Sequence, residues 1–472
     1  MGFAIFNMGI CCDLQVDVNG EEIFYVDKRI LVSFSGRLSK LFGKAACTAS
    51  PLKVIFHDFP GGAKGFELVV RFCYDNGRID MTPYNIILLH CAANFMEMKS
   101  GSSRLPDLID QMEKYFEGIH RWTWSELVLC LKQYQDLSAV PSSSTLLQKF
   151  LNMFVAKLVF LNVASPCAST SDKSSSQFSS DISGDSIKSY SSQATWWFED
   201  LKFLNIDWFE KVVHEMMSKE FDHSTICSFI FYYQRSNFLG ASPATEKGKI
   251  IEAVINLLYS LDKSSISSRG LFCLFSLAVF SKVSKSCKMK LEAMVGSKLD
   301  EAKIDNLLIP SPRGKKYMYD VNLILRLLKS FLVENQFSTS RLDKVACLME
   351  LYLAEVSADP YLKPPKFMAL ATSLPDFSRG SQNRIYLAID MYLKVHSGLC
   401  QEEKMKVCSI LKCEKHSAES LIDLAKNYKL EPRGACTSQR FKQKSLVQDT
   451  KHIRSVSNDS RFYAEHFLLY SN

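Results

Sequence analysis

The residues best able to do chemistry gather late in the chain, where His396, Cys400, Cys408, Cys413 and His416 fall close together. A structural zinc site needs ligand pairs about two to four residues apart in a turn, so that two donors meet one tetrahedral ion. Cys408 and Cys413 have four residues between them, but Met405, Cys408 and Leu411 share one face of an amphipathic helical pattern, so the segment reads as packed helix. Glu402-Glu403 sit beside Lys404 and Lys406, the pattern of a solvated helix face rather than an acid/base pair. Any of the fifteen cysteines could serve as a nucleophile if a base or a helix N-terminus lowered its pKa, yet nothing in the sequence singles one out. Pro60-Gly61-Gly62 lacks the Lys-Ser/Thr ending with which a phosphate loop holds phosphate and Mg²⁺, and neither a nucleophile elbow nor a kinase signature is present. The expectation is a non-enzyme with no cofactor and no metal.

The elements that would have positioned such groups point instead to protein surfaces. Leu14, Val16 and Val18 alternate with polar residues, Asn19-Gly20 is a strong turn signal and Ile23–Val26 follows, which predicts a hairpin over Asp13–Val26. A helix is expected from Lys28, with Ile30, Leu31, Phe34 and Leu38, and a third strand at Leu52–Phe56. The turn Asp58-Phe-Pro-Gly-Gly62 then precedes a helix with Phe66, Val69, Val70 and Cys73 at helical spacing, and Pro83 is placed to open a second helix with Ile86, Leu89, Ala93 and Met96 on one face. From Pro106 to Val163 the pattern is helical. Trp196-Trp197-Phe198 opens a second region of helices only. Its stripes include Val321–Leu332, with Asp320 placed as a cap, Leu342–Leu353, Ile385–Leu393 and Leu421–Tyr428. No fixed-period repeat is evident.

Composition narrows the setting. The odd cysteine count, with Cys73, Cys91, Cys130, Cys273 and Cys347 inside apolar helical patterns, suggests buried thiols in a reducing compartment. That means the cytoplasm, the cytosolic face of the plasma membrane, or the nucleus. Residues 164–193 hold roughly a dozen serines and few large apolar residues, a linker composition unable to bury a core. The net charge is +7, much of it in the tail 431–472, where Arg433, Arg440, Lys442, Lys444 and Lys451 could meet anionic lipid without specificity. No base-reading module accompanies them, so no specific nucleic acid is expected.

Asp13-Leu14-x-Val16 and Asp27-Lys28 resemble the opening of the BTB/POZ fold. DFPGG, Phe72-Cys73-Tyr74 and Cys91-Ala92-Ala93…Met96-Glu97-Met98 resemble more narrowly the plant non-phototropic-hypocotyl-three family. So do Trp196-Trp197-x-Glu199-Asp200-Leu201, Leu307-Leu308-Ile309-Pro310, Tyr319-Asp320-Val321, Asp359-Pro360 and Tyr386-Leu-Ala-Ile-Asp390-Met-Tyr392-Leu-Lys394-Val-His396. The resemblance implies an α+β BTB/POZ domain (11–100) with a helical extension (101–163), the Ser-rich linker (164–193), a large all-α domain that engages the target (194–430) and the basic tail (431–472). It implies a substrate adaptor of a cullin-RING ubiquitin ligase, whose partners are a cullin, an unknown protein substrate and a second BTB domain in a homo- or heterodimer. The competing reading is a non-ligase scaffold organising a receptor-kinase pathway at the plasma-membrane face. Asp13 and Lys28 match the polar pair of the BTB dimer region, with Asp27 where such domains usually carry His. Leu38, Leu41, Phe42 and Lys44 fall where BTB domains face a cullin. Tyr386 is a candidate phosphorylation site that also belongs to an apolar stripe.

Overall fold

The computed structural model describes residues 13–42, 52–98, 107–137, 145–163, 195–238, 240–241, 244–312, 314–333, 338–373, 382–411 and 427. They divide into two compact units, 1–237 and 238–472. Among the described residues no helix is long and apolar enough to cross a membrane.

The first unit begins with a three-stranded sheet of β1 (Leu14–Val18), β2 (Glu22–Val26) and β3 (Leu52–Phe56), in the order β2-β1-β3. β1 pairs antiparallel with β2, Val16 opposite Phe24, and parallel with β3, Val16 opposite Val54. The expected hairpin turn is present: Asn19 and Gly20 both take positive φ, 56° and 71°, the pairing that a two-residue hairpin loop demands. Asn19 does a second job. Its amide donates to Phe59 O at 3.1 Å and accepts from Phe59 N–H at 2.7 Å, tying the hairpin to the DFPGG turn.

The helix expected from Lys28 is two helices, α1 (Lys28–Phe34) and α2 (Gly36–Phe42). Ser35 between them is extended, and its buried hydroxyl donates to Met96 O at 2.8 Å while accepting from Leu38 N–H at 3.2 Å. A side chain that offers the backbone such partners competes with helix continuation. α3 (Gly62–Tyr74) and α4 (Ile86–Phe95) follow. α4 starts three residues after Pro83, because Asn85 holds the preceding turn, accepting from Thr82 N–H and donating to Asp80 O. Phe56, Phe59, Phe66 and Phe95 pack edge-on or tilted under the sheet, with centroids 4.9–6.2 Å apart.

α5 (Leu108–Glu117), α6 (Trp124–Leu137) and α7 (Thr145–Val163) extend this unit. The segment after Thr195 packs back on them. The Trp124 indole N–H donates to Asp200 at 2.7 Å, Asn205 N–H to Gln135 at 2.8 Å, and the Trp208 ring of α8 (Ile206–Ser218) stacks on Tyr134. α9 (His223–Phe238) covers α8 through Tyr233, whose ring lies 3.7 Å from Phe209 at 7°. The compact unit thus runs about forty residues past the expected start of the second domain at 194, since aromatic burial, and not the Ser-rich break, sets its edge.

The second unit is helical throughout its described elements: α10 (Ala244–Tyr259), α11 (Ser268–Val279), α12 (Lys285–Ser297), α13 (Val321–Val333), α14 (Thr339–Val356), α15 (Pro364–Ala371), α16 (Gln382–Val395) and α17 (Gln401–Cys408). The stripes on α14 and α16 are buried as their spacing requires, and so is that on α13 up to Phe331, with Leu332 half-buried. Asp320 caps α13 through Leu323 N–H at 3.1 Å. α12 and α13 meet at Gly296, where a Cβ would lie 2.5 Å from that of Ser330. The Leu421–Tyr428 stripe, the linker 164–193 and the tail 431–472 fall outside the described residues, Asn427 apart.

Candidate protein-docking site

The expected polar pair is built differently from a side-chain ion pair. Asp13 accepts the backbone N–H of Lys28 at 2.7 Å, while the Lys28 ammonium lies 5.5 Å from the centre of the Phe42 ring. Asp27 caps α1, one oxygen accepting from Arg29 N–H at 2.7 Å and Ile30 N–H at 3.3 Å, and its own N–H donates to the Tyr74 hydroxyl. An aspartate there is a strong N-cap, and a carboxylate also suits the positive end of a helix. The Asp13 carboxylate thus fastens the start of α1 to the residue that leads into β1, while the Asp27 carboxylate caps the helix from its own end.

The expected cullin-facing residues separate into three groups. Leu38 is fully buried and belongs to the core, so it supports the surface and cannot present it. Leu41 is 58% exposed at the end of α2, and Phe42 beside it is half-buried under Lys28. Lys44 lies outside the described residues. Around Leu41 the charges are paired or stacked: Lys40 forms an ion pair with Glu97, and the Arg37 guanidinium sits 4.0 Å from the Phe95 ring centre. Leu41 therefore stands as an exposed apolar side chain beside an ion pair and a ring-stacked guanidinium, a layout suited to a protein contact.

Sequence periodicity missed a second apolar surface on this domain. Ile23, Tyr25 and Ile55 are 46%, 65% and 47% exposed, and strand register brings Ile23 and Ile55 to either side of Asp17. The signal was present in β2 and β3, which carry apolar residues at positions of both parities where a half-solvated sheet would carry polar ones.

Burial pushes the thiols of Cys73, Cys91 and Cys130 up to about 12, so they are protonated at neutral pH. Cys273 and Cys347, expected to be buried, are exposed. Cys273 falls on the outer side of α11 with Arg269 and Phe280, and the Cys347 sulfur meets the Arg384 guanidinium at 3.1 Å. His396 stacks on Tyr392 at 3.9 Å with Nδ1 2.9 Å from Tyr392 O, Cys400 precedes α17, and Cys413 and His416 lie outside the described residues. Among the described residues no group of three metal-ligating side chains converges. Tyr386 is half-buried at the flank of the α16 stripe, beside the exposed Leu387.

Two family models match successive parts of the chain. The BTB/POZ domain model matches residues 4–115, and the NPH3 family model matches residues 195–420. A BTB/POZ domain-containing protein of Arabidopsis thaliana is 42% identical over 90% of this chain and 83% of its own length. A second from the same plant is 28% identical over 95% of this chain and 90% of its own, and a third 29% identical over 92% and 72%. No solved structure matches the chain. With the sheet and helices of one domain and the helical region of the other both in place, this chain belongs to the BTB/POZ domain-containing proteins of the NPH3 family.

Proposed function

We propose that this protein is a substrate-specific adaptor of a cullin-RING ubiquitin ligase, working in the cytoplasm or at the cytosolic face of the plasma membrane. The N-terminal domain docks a cullin and pairs with a second BTB domain, and the helical region engages the target. The observation that carries the reading is the succession, in one chain, of a BTB/POZ domain and an NPH3 region. The exposed Leu41 offers a contact on the first of them. Such an adaptor makes and breaks no bonds. It holds two partners on one body and so raises the effective concentration of the target lysine near the charged enzyme.

Affinity purification of the full-length chain from plant tissue tests this directly. Wild type is expected to bring down a cullin, and Leu41→Asp to lose at least about tenfold of it, as expected when a charge replaces an apolar anchor at an interface centre. Wild type without any cullin would overturn the reading. In that case, membrane release on deleting residues 431–472 would favour the scaffold reading instead, since a basic tail on anionic lipid is held by charge.

A further inference from the structure

In the second unit, the described residues before α13 (311–312 and 314–320) and the turn 357–363 before α15 lie side by side, fastened by one carboxylate. Asp359 is 3% exposed, and its two oxygens accept the backbone N–H of Met318 at 2.7 Å and of Tyr361 at 2.9 Å. The loop is closed at its neck, where Pro310 bridges Tyr319, Ser311 N–H donates to Met318 O at 3.0 Å and Asp320 N–H to Ile309 O at 2.9 Å. Charge-assisted bonds of this kind hold both backbones in a fixed relation.

Four lysines stand on this frame. Lys315, Lys316 and Lys363 are exposed and Lys366 is half-buried. The Lys366 ammonium lies 5.1 Å from the Tyr317 ring centre and the Lys316 ammonium 5.8 Å from that of Tyr361, so two of the four are held by rings. Tyr361 and Met318, 56% and 57% exposed, sit among them. Asp320 faces the cluster but is engaged as the α13 cap, and both Asp359 oxygens are taken. Burial lowers the pKa of Lys366, and the nearby Lys315 and Lys363 lower it further against the opposing pull of Asp320.

Two of the four cations are held by rings, and the four positive charges outnumber the two carboxylates beside them, Asp320 and Asp359, both of which accept backbone N–H groups. A phosphate monoester fits this frame best, bringing about −1.5 to −2 charges and three acceptor oxygens to one point. Lysine ammoniums reach such a group as point charges from several directions without the planar geometry that arginine imposes. Lys363 is the N-cap of α15, which Pro364 and Pro365 open, so the positive end of that helix begins at one of the four lysines. The exposed ring and thioether beside the cations suit the side chains that flank a phosphorylated residue in a peptide.

We infer that the Lys315, Lys316, Lys363 and Lys366 platform docks a phosphoserine- or phosphothreonine-containing segment of a partner protein, with Tyr361 and Met318 covering its flanking residues. The partner's role as ubiquitination target rests on the adaptor reading; the chemistry of the platform does not.

The test is fluorescence anisotropy on the full chain, near ~0.15 M salt so that diffuse attraction is screened. The probes are a fluorescein-labelled degenerate heptapeptide pool with a central phosphoserine, the same pool with serine or glutamate there, and phosphatidylserine-containing phosphatidylcholine vesicles. The phosphorylated pool is expected to bind about tenfold more tightly than either other pool, and inorganic phosphate to compete, as charge-assisted bonds to a dianion predict. The Lys315→Ala/Lys363→Ala variant, altered only at exposed positions, should lose that preference, while Lys315→Arg/Lys363→Arg should keep it. Circular dichroism confirms that both fold. Equal binding of the three pools, a preference unchanged by the alanine pair, or vesicle binding without a phosphopeptide preference would each overturn the inference. Cullin co-purification on the same variants separates the two ideas: cullin retained without phosphopeptide preference sinks this inference alone, and phosphopeptide preference without cullin sinks the adaptor reading alone.

Discussion

Single residues near the candidate docking site show how little of a side chain's role its type discloses. Asp13 and Lys28 are adjacent, as their place in the motif suggests, but carboxylate meets backbone N–H and ammonium meets ring. Type and spacing predicted nearness; only the direction of the two side chains decided the partner. His90 shows the same limit. It reads as one more residue of an apolar helix, yet it is 1% exposed with Nδ1 3.0 Å from the Tyr134 hydroxyl, and burial lowers its pKa from 6.5 to about 4. Above pH 6.5 neither folded nor unfolded chain takes the proton, and stability is unaffected. Between 6.5 and 4 the unfolded chain alone binds it, so stability falls with pH, by up to about 1.4 kcal/mol per pH unit. All five tryptophans lie in the first unit, so tryptophan-monitored urea unfolding reports on it selectively. Wild type should lose about 2 kcal/mol more than His90→Gln between pH 7 and 5. An identical loss in the two proteins would show that His90 takes up its proton within the fold.

At the scale of elements, helix and strand periods carried most of the fold. β1, β2, β3, α3 and the stripes of α13, α14 and α16 stand where alternation or helical spacing puts them. What periodicity could not show was how close two elements come. α12 and α13 approach until Gly296 has no room for a Cβ, with Ser330 Cβ at 2.5 Å and Leu327 O at 2.8 Å. One obstacle is backbone, so no rotamer change relieves it. Gly296→Ala should therefore cost about 1–3 kcal/mol, the usual range for overpacking, whereas Gly398→Ala, with nothing within 4 Å of the new Cβ, should be near neutral. Thermal unfolding followed by far-UV circular dichroism checks the pair, and equal melting temperatures would mean that the two helices separate freely.

At the scale of the molecule, the unit of folding and the unit of family resemblance differ. The NPH3 region begins at 195, but residues 195–237 pack within the first unit, with Trp208 on Tyr134 and Asn205 bonded to Gln135. A fragment of residues 1–237 is expected to be soluble, monomeric or dimeric, and cooperatively unfolding. A fragment of residues 1–163 leaves the Tyr134 and Trp124 surface of α6 and α7 uncovered and should aggregate or melt about 10 °C lower, as loss of a few kcal/mol of apolar burial implies. Size-exclusion chromatography and melting curves of the two fragments decide it, and a stable 1–163 would show that α8 and α9 are passengers. Cullin binding by the isolated N-terminal half is accordingly better measured on 1–237.

The sequence by itself determined the two-module plan, the identity of most elements and the family. All of these follow from local patterns: period, turn residues and motif order. Tertiary structure alone decided which face each residue shows. It buried Leu38 and left Leu41 outside, exposed Cys273 and Cys347, and carried aromatic burial past the linker to residue 237. It also assembled Lys315 and Lys316 with Lys363 and Lys366, nearly fifty residues apart in the chain, on a frame fixed by one buried aspartate. Such placements depend on contacts between distant segments, and a pattern read along one chain has no term for them.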